Sequence, residues 1–460
     1  MRADLAQIVK AYDIRGLVPE QWDDTVAGAL GAAFARLCLE EGTASGRIVV
    51  GRDMRDSSPQ LAGAFAAGIT SLGLDVVDIG LASTDAVYYA SGALDAPGAM
   101  FTASHNPAQW NGIKLCRPGA VPIGRDTGLG RLTQIVAENS GAVAGVPGKL
   151  LRLDVLPDYA NHLRSLVDVA AGRPLRVAVD AGNGMAGHVV PTVFAGLPIA
   201  ILPLYFELDG TFPNHEANPI DAANLADLAD TVVAERADLG LAFDGDADRC
   251  FVVDETGAAV SPSAVSGLIA VRELARRPGS AVVHNLITSR ALPELIAEHG
   301  GRPVRTRVGH SFIKKVMAEQ DAVFGGEHSG HYYFRDFWFA DSGMLAALHV
   351  LAALGATPAG TTCSSIMADY ERYVASGEIN STVADPVAAL VALREGWSRD
   401  GAVLDDLDGL TVSLPDGSWF NVRPSNTEPL LRLNAEAADS AAMGALRDEV
   451  LAQIRSYGRL

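Results

Sequence analysis

Three stretches of the chain repeat one order of elements without repeating a sequence. "RIVVGRDMRDSSPQLAGAFAAGITSLGLDVVDIG", "LRVAVDAGNGMAGHVVPTVFAGLPIAILPLY" and "SAVVHNLITSRALPELIAEHGGRPVRTRVG" each read as an apolar strand, a polar loop, a helix and a second strand. A strand that returns through a helix pairs parallel to its predecessor, and helices then cover the sheet's faces. Three such units restrict the chain to successive α/β domains. The last part differs. "LDGLTVSLPDGSWFNVRPSNTEPLLRLNAEA" reads as strands joined by a D-G turn and an irregular loop. "DSAAMGALRDEVLAQIRSY" then carries Met443, Leu446, Val450 and Ile454 at helical spacing. The expected architecture is three related α/β mixed-sheet domains at 1–147, 148–255 and 256–367, followed by a smaller α+β domain at 368–460. A length of 460 residues suits that division.

Charge narrows the partners. A formal net charge of -19 excludes nucleic acid and anionic membranes, which require a basic surface. An acidic chain that handles an anion must gather its cations locally, inside loops. Cys38, Cys116, Cys250 and Cys363 lie far apart with no C-x-x-C pair, which fits a reducing cytosol rather than a disulfide framework or a zinc site. The opening "MRADLAQIVKAYDIRG" has no apolar signal-like run, so a cytoplasmic location is expected. "GMLAALHVLAALGA" is too short to span a bilayer and reads as a core helix.

Four loops carry chemistry. In "AMFTASHNPAQWNGIKL", Ser104 leaves a strand beside His105 and ahead of Lys114; a serine there is ordinarily a turn former. "LGLAFDGDADRCFVVDETG" alternates Asp244, Asp246 and Asp248 between two apolar runs. Carboxylates that close repel one another unless a cation neutralises them, which indicates a hard-cation site suited to Mg²⁺. An EF-hand is excluded, because Arg249 stands where the loop needs glycine and the flanks are strand-like. "VFGGEHSGHYYF" spaces Glu327, Ser329 and His331 two apart, and extended backbone would put all three on one face for a polyhydroxylated ligand. A glycine-rich turn with a satisfied histidine is the plainer alternative. "NVRPSNTEPLLRL" gathers Arg423, Ser425, Asn426 and Thr427, donors that match a phosphate but also an ordinary polar turn. A rival from another class is also present. Gly182, Gly184 and Gly187 form a literal G-x-G-x-x-G, with Glu207 and Asp209 beyond the next strand, as in a NAD-dependent dehydrogenase. That rival accounts for neither the triple-Asp loop nor the Arg-Ser-Asn-Thr loop.

Together "KAYDIRG", "TASHNP", "DGDADR", "GEHSGH" and "RPSNTEP", in this order, resemble the α-D-phosphohexomutase family over almost the whole chain. The resemblance implies four domains around a central cleft, with Ser104 as a phosphoserine that donates its phosphoryl group. It implies Mg²⁺ on Asp244, Asp246 and Asp248 beside that serine, with Tyr12, Arg15, His105, Lys114 and Arg249 around the transfer site. Glu327, Ser329 and His331 would contact the sugar, His310 would be a further substrate contact, and Arg423, Ser425, Asn426 and Thr427 would hold the phosphate not being transferred. The implied activity moves a phosphate between C1 and C6 of a hexose through a hexose 1,6-bisphosphate. Within the family the chain is most similar to the mannose-phosphate mutases that feed GDP-mannose synthesis, with glucose and glucosamine phosphates as alternatives. It departs from the pattern at Ile287, where many members have lysine, and His328 stands at a position that varies between subfamilies. The implied partners are small hexose phosphates, and the chain is expected to be a monomer or a homodimer.

Overall fold

The computed structural model describes residues 5–138, 146–399, 401–424 and 430–457, the side chains of 310 and 311 excepted. Four sheets follow one another along these residues. In the first, Arg47–Arg52 lies between Asp75–Leu81 and Gly98–Phe101, parallel to both, and Trp110–Arg117 runs antiparallel beyond Gly98–Phe101. The second repeats the plan with Leu175–Asp180 between Ile199–Leu204 and Leu239–Phe243, and Cys250–Asp254 reversed. The third repeats it again with Ala281–Asn285 between Arg302–Thr306 and Phe324–Gly326, and Tyr332–Phe334 reversed. The crossover helices correspond as well: Ser58–Thr70, Ala186–Val193 and Ala291–Glu298 lead to the second strand of each unit, and Thr84–Ala93, Ala226–Glu235 and His310–Gln320 to the third. The central strands read "IVVG", "VAVD" and "AVVH" because both of their faces are covered.

This topology decides where the site forms. In each unit the third strand ends at the carboxyl edge of the parallel set and the chain doubles back into the fourth. Ligands bind at that edge of open α/β sheets. The three reversals are residues 102–109, 244–249 and 327–331, which are the serine, triple-Asp and Glu-Ser-His loops. Strand Leu150–Arg152, past the expected boundary at 147/148, pairs with Asp75–Leu81 in the first sheet. Ala259–Val260, past 255/256, pairs with the second.

The fourth sheet is antiparallel, ordered Val403–Asp405, Leu410–Ser413, Trp419–Pro424, Leu430–Ala437, with Val374–Ala375 and Ile379–Thr382 both pairing with the last of these. Helices Pro386–Trp397 and Ser440–Ser456 pack on it around Trp397, Phe420, Val450 and Ile454. This core is separate, whereas one continuous apolar cluster runs through the first three units from Val49 to Met367. The fourth unit meets the third through polar contacts: Arg305 to Asp405 at 2.7 Å, Tyr373 to Glu294 at 2.9 Å, and the Arg290 amide to Glu436 at 2.9 Å. Helix Gly343–Gly355, the expected core helix, is almost wholly buried. Among the described residues no helix is long and apolar enough to cross a membrane.

Candidate active site

Ser104 leaves Gly98–Phe101 with φ 51°, in the left-handed region that a residue bearing a Cβ enters at a cost of about 1–2 kcal/mol. Such strain persists only where surrounding contacts over-determine it. Arg55 supplies them. Its buried guanidinium donates to the carbonyls of Ser104 (2.8 Å), Asn106 (2.7 Å), Pro107 (2.9 Å) and Trp110 (3.0 Å), and its Nε donates to Asp53 at 3.1 Å. The Ser104 amide donates to Thr102 Oγ1 at 2.8 Å. Nothing local in "GRDMRDSS" links Arg55 to Ser104, so sequence reading misses it. The usable signal is an Arg inside a Ser/Asp loop of an acidic chain.

The serine and triple-Asp loops interlock. Ser104 Oγ donates to Asp244 Oδ2 at 2.7 Å, and Arg249 donates to that oxygen from Nε at 2.8 Å and to Ser104 Oγ from Nη2 at 3.2 Å. Lys114, on Trp110–Arg117, reaches Asp246 Oδ2 at 2.6 Å and Asp248 Oδ2 at 2.5 Å. Asp244, Asp246 and Asp248 are at most 1% exposed. Each offers one oxygen, and these oxygens all lie within 4.8 Å of one another. Asp246 Oδ1 and Asp248 Oδ1 are buried and accept no hydrogen bond, the expected condition of oxygens reserved for a cation. The carboxylates therefore form a group that could bind a metal.

Electrostatics separates their states. Burial pushes Asp244 above the ordinary carboxylate range against the pull of Arg249. Burial acts on Asp246 in the same sense, but Lys114 and the Thr84 hydroxyl outweigh it and hold that carboxyl below its ordinary value. Burial, reinforced by Arg249 and Arg15, lowers His105 to about 2, so its ring is neutral. Arg249 Nη2 donates to His105 Nδ1, which leaves the ring proton on Nε2. Ser104 Oγ lies 3.2 Å from the same Nδ1.

Glu327, Ser329 and His331 do converge, though not on extended backbone. Residues 327–331 form a turn in which Glu327 N donates to the His331 carbonyl (3.1 Å) and Gly330 N to the Glu327 carbonyl (3.2 Å). The turn corrects the expected one-face strand: closing the hairpin between Phe324–Gly326 and Tyr332–Phe334 leaves no room for an extended run. Ser329 Oγ lies 3.0 Å from His331 Nδ1 and donates to Glu327 Oε2 at 3.4 Å. Tyr333 and Asn285, neither singled out from sequence, donate to Glu327 at 2.9 and 3.3 Å. His331 Nε2 lies 3.6 Å from Asp248, which joins this loop to the carboxylates.

The remaining expected residues are placed as follows. Arg15 donates to Asn106 Oδ1 at 2.5 Å and pairs with Asp13, at the edge of the serine loop. Tyr12 packs edge-on against Phe312, ring centroids 6.4 Å apart, where the first and third units meet. His310 opens helix His310–Gln320. Arg423, on Trp419–Pro424, is held by Glu378 at 2.5 Å. Ser425, Asn426 and Thr427 lie outside the described residues.

The dinucleotide-like glycines have another use. A Cβ on Gly184 would meet the Gly245 carbonyl at 2.7 Å, and one on Gly187 the Phe206 carbonyl at 2.3 Å. These two glycines let backbone pack against the triple-Asp loop and the next strand's exit. Asp209 is engaged in its own turn, accepting from Thr211 N at 2.8 Å.

Three α/β sheets of one plan, whose equivalent loops join a hydroxyl, a carboxylate cluster and a Glu-Ser-His turn, suit a phosphotransfer enzyme. The chain belongs to the phosphoglucomutase/phosphomannomutase family, the α-D-phosphohexomutases: the family's alpha/beta/alpha domains I, II and III match residues 6–141, 157–257 and 262–373, and its C-terminal domain matches 378–453. Its activity is that of an isomerase, an intramolecular phosphotransferase. The chain is 39% identical to an Escherichia coli phosphomannomutase, over 97% of this chain and 98% of that one. It is 37% identical to the phosphomannomutase/phosphoglucomutase of Pseudomonas aeruginosa, over 94% and 92%. A solved structure of a phosphoglucomutase/phosphomannomutase family protein from Burkholderia thailandensis superposes with a TM-score of 0.88 at 32% identity, covering 98% of this chain and 97% of that one.

Proposed function

We propose that the chain interconverts mannose 1-phosphate and mannose 6-phosphate through a hexose 1,6-bisphosphate, with Ser104 as phosphoryl carrier. The observation that carries this reading is the contact of Ser104 Oγ with Asp244 and Arg249, beside two buried carboxylate oxygens that accept no hydrogen bond. Asp244, Asp246 and Asp248 would hold Mg²⁺, which when bound supplies neutralisation of phosphoryl oxygen charge. Arg249 and Lys114 add positive charge around the same position, and neutral His105, whose Nδ1 lone pair accepts from Arg249, adds no further cation. The O–P bond to Ser104 breaks as one forms to a sugar hydroxyl oxygen, and the hydroxyl's proton ends on the freed Ser104 Oγ; transfer from the sugar's other end then regenerates phosphoserine and returns that proton to the sugar oxygen. Glu327 and Ser329 grip ring hydroxyls, so they serve the sugar in both orientations. Arg423, with Ser425, Asn426 and Thr427, holds the phosphate that is not reacting. The separate core and polar seam of the fourth unit suit its closing over the site to keep water from the phosphoserine.

Glucose 1-phosphate is proposed as a second substrate. The Glu327–Ser329 pair offers one carboxylate and one hydroxyl for two adjacent ring hydroxyls and leaves nothing evident for C2. Where no dedicated hydrogen bond reads the difference, discrimination stays modest. In a coupled assay, mannose 1-phosphate is expected to give the highest kcat/KM, and glucose 1-phosphate a value within about two orders of magnitude of it. A glucosamine 1-phosphate value above both would move the chain to a different substrate class. Prolonged chelation should abolish turnover and Mg²⁺ should restore it. Full turnover after complete metal removal would end the metal reading. Saturable NAD(H) binding would revive the dehydrogenase rival built on Gly182, Gly184 and Gly187.

A further inference from the structure

Thr84 belongs to none of the loops described above, yet it touches one of the carboxylates directly. It is the first residue of helix Thr84–Ala93 in the first unit, and it is fully buried. Its hydroxyl donates to Asp246 Oδ2 at 2.5 Å, and its amide donates to the Asp246 carbonyl at 3.0 Å. Lys114 takes the same Oδ2 at 2.6 Å. Both donors therefore fall on one oxygen, and the other, Oδ1, is buried and accepts no hydrogen bond. A carboxylate held at one oxygen cannot rotate without breaking two charge-assisted bonds.

The mount behind Thr84 is stiff. Asp85, also fully buried, accepts from Tyr159 at 2.7 Å and from Ser342 at 2.6 Å, as well as from Ser83. Tyr159 lies on helix Leu156–Leu166, and Ser342 caps helix Gly343–Gly355, accepting from Leu345 N at 3.1 Å. The Thr84–Asp85 turn is thus tied to segments preceding the second sheet and following the third. A neutral hydroxyl orients Asp246 without adding charge that would compete with a cation, which Lys114 alone cannot do.

We propose that Thr84 is a positioning residue that aims Asp246 Oδ1 at the divalent cation. The inference rests on the metal reading above. It is tested by calorimetric titration of Mn²⁺ into the unphosphorylated enzyme and three variants, with thermal midpoints measured in parallel without metal. Thr84→Val, near-isosteric but without the hydroxyl, is expected to weaken Mn²⁺ binding by about 10-fold or more, the usual effect of losing a partner behind a metal ligand. Thr84→Ser keeps the hydroxyl and should bind within about threefold of wild type. The Thr84→Ala and Thr84→Ser pair, alike in lacking the methyl, repeats the comparison should Thr84→Val not fold. Mn²⁺ affinity unchanged in Thr84→Val or Thr84→Ala, with only the midpoint lowered, would reduce Thr84 to a structural role and overturn the inference. So would Thr84→Ser binding as weakly as Thr84→Ala. A wild-type enzyme that binds no Mn²⁺ would overturn the metal reading, and this inference with it.

Discussion

Ser104→Ala is expected to lower mutase turnover by about four orders of magnitude or more, the scale on which removing a covalent nucleophile acts. The variant loses one oxygen. That oxygen donates to Asp244, receives Arg249 and lies beside neutral His105. Alanine fits the space, and the backbone contacts from Arg55 and Thr102 do not depend on the hydroxyl. The fold should therefore persist, and the loss should appear in kcat. Intact-protein mass spectrometry after incubation with glucose 1,6-bisphosphate should show one added phosphoryl group on wild type and none on the variant. Full turnover by Ser104→Ala would mean that the phosphoryl group is carried elsewhere.

The second large effect is on stability. Arg55→Met keeps the apolar stem and the backbone amide that donates to Asp53, but removes every side-chain donor of Arg55. Asp53, fully buried, is left without its cation, and the carbonyls of Ser104, Asn106, Pro107 and Trp110 lose their shared partner. Breaking a buried pair by removing one partner typically costs about 3–5 kcal/mol. For a unit of this size that corresponds to a midpoint lowered by roughly 10 °C. Arg55→Lys should rescue little, since a single ammonium cannot reach four carbonyls in a planar fork. A midpoint within about 2 °C of wild type would show that the strained serine is held by something other than this clamp.

Much of this protein is written locally. Apolar runs such as "RIVVG" and "LRVAV", each followed by a polar loop and a helix, are enough to announce parallel strands, because burial on both faces demands them. Three aspartates between apolar strands announce a cation, because like charges crowded together need one. Ser104 with His105 and Lys114, and Glu327 with Ser329 and His331, are short constellations whose chemistry is visible in order. What no local pattern could hold is the assembly. Ser104 and Asp244 are 140 positions apart, Thr84 and Asp246 are 162 apart, and Arg55 reaches Ser104 across 49. Only the threefold repetition of strand order brings the same reversal of each unit to one place. Only there does it emerge which oxygens are spent on hydrogen bonds and which are left over. The Glu327–His331 turn shows the same limit, since side-chain spacing predicts one face for a strand but hairpin closure determines the backbone. Residue type sets what each loop can do; contacts between distant segments, through burial and saturation of individual oxygens, set what it does.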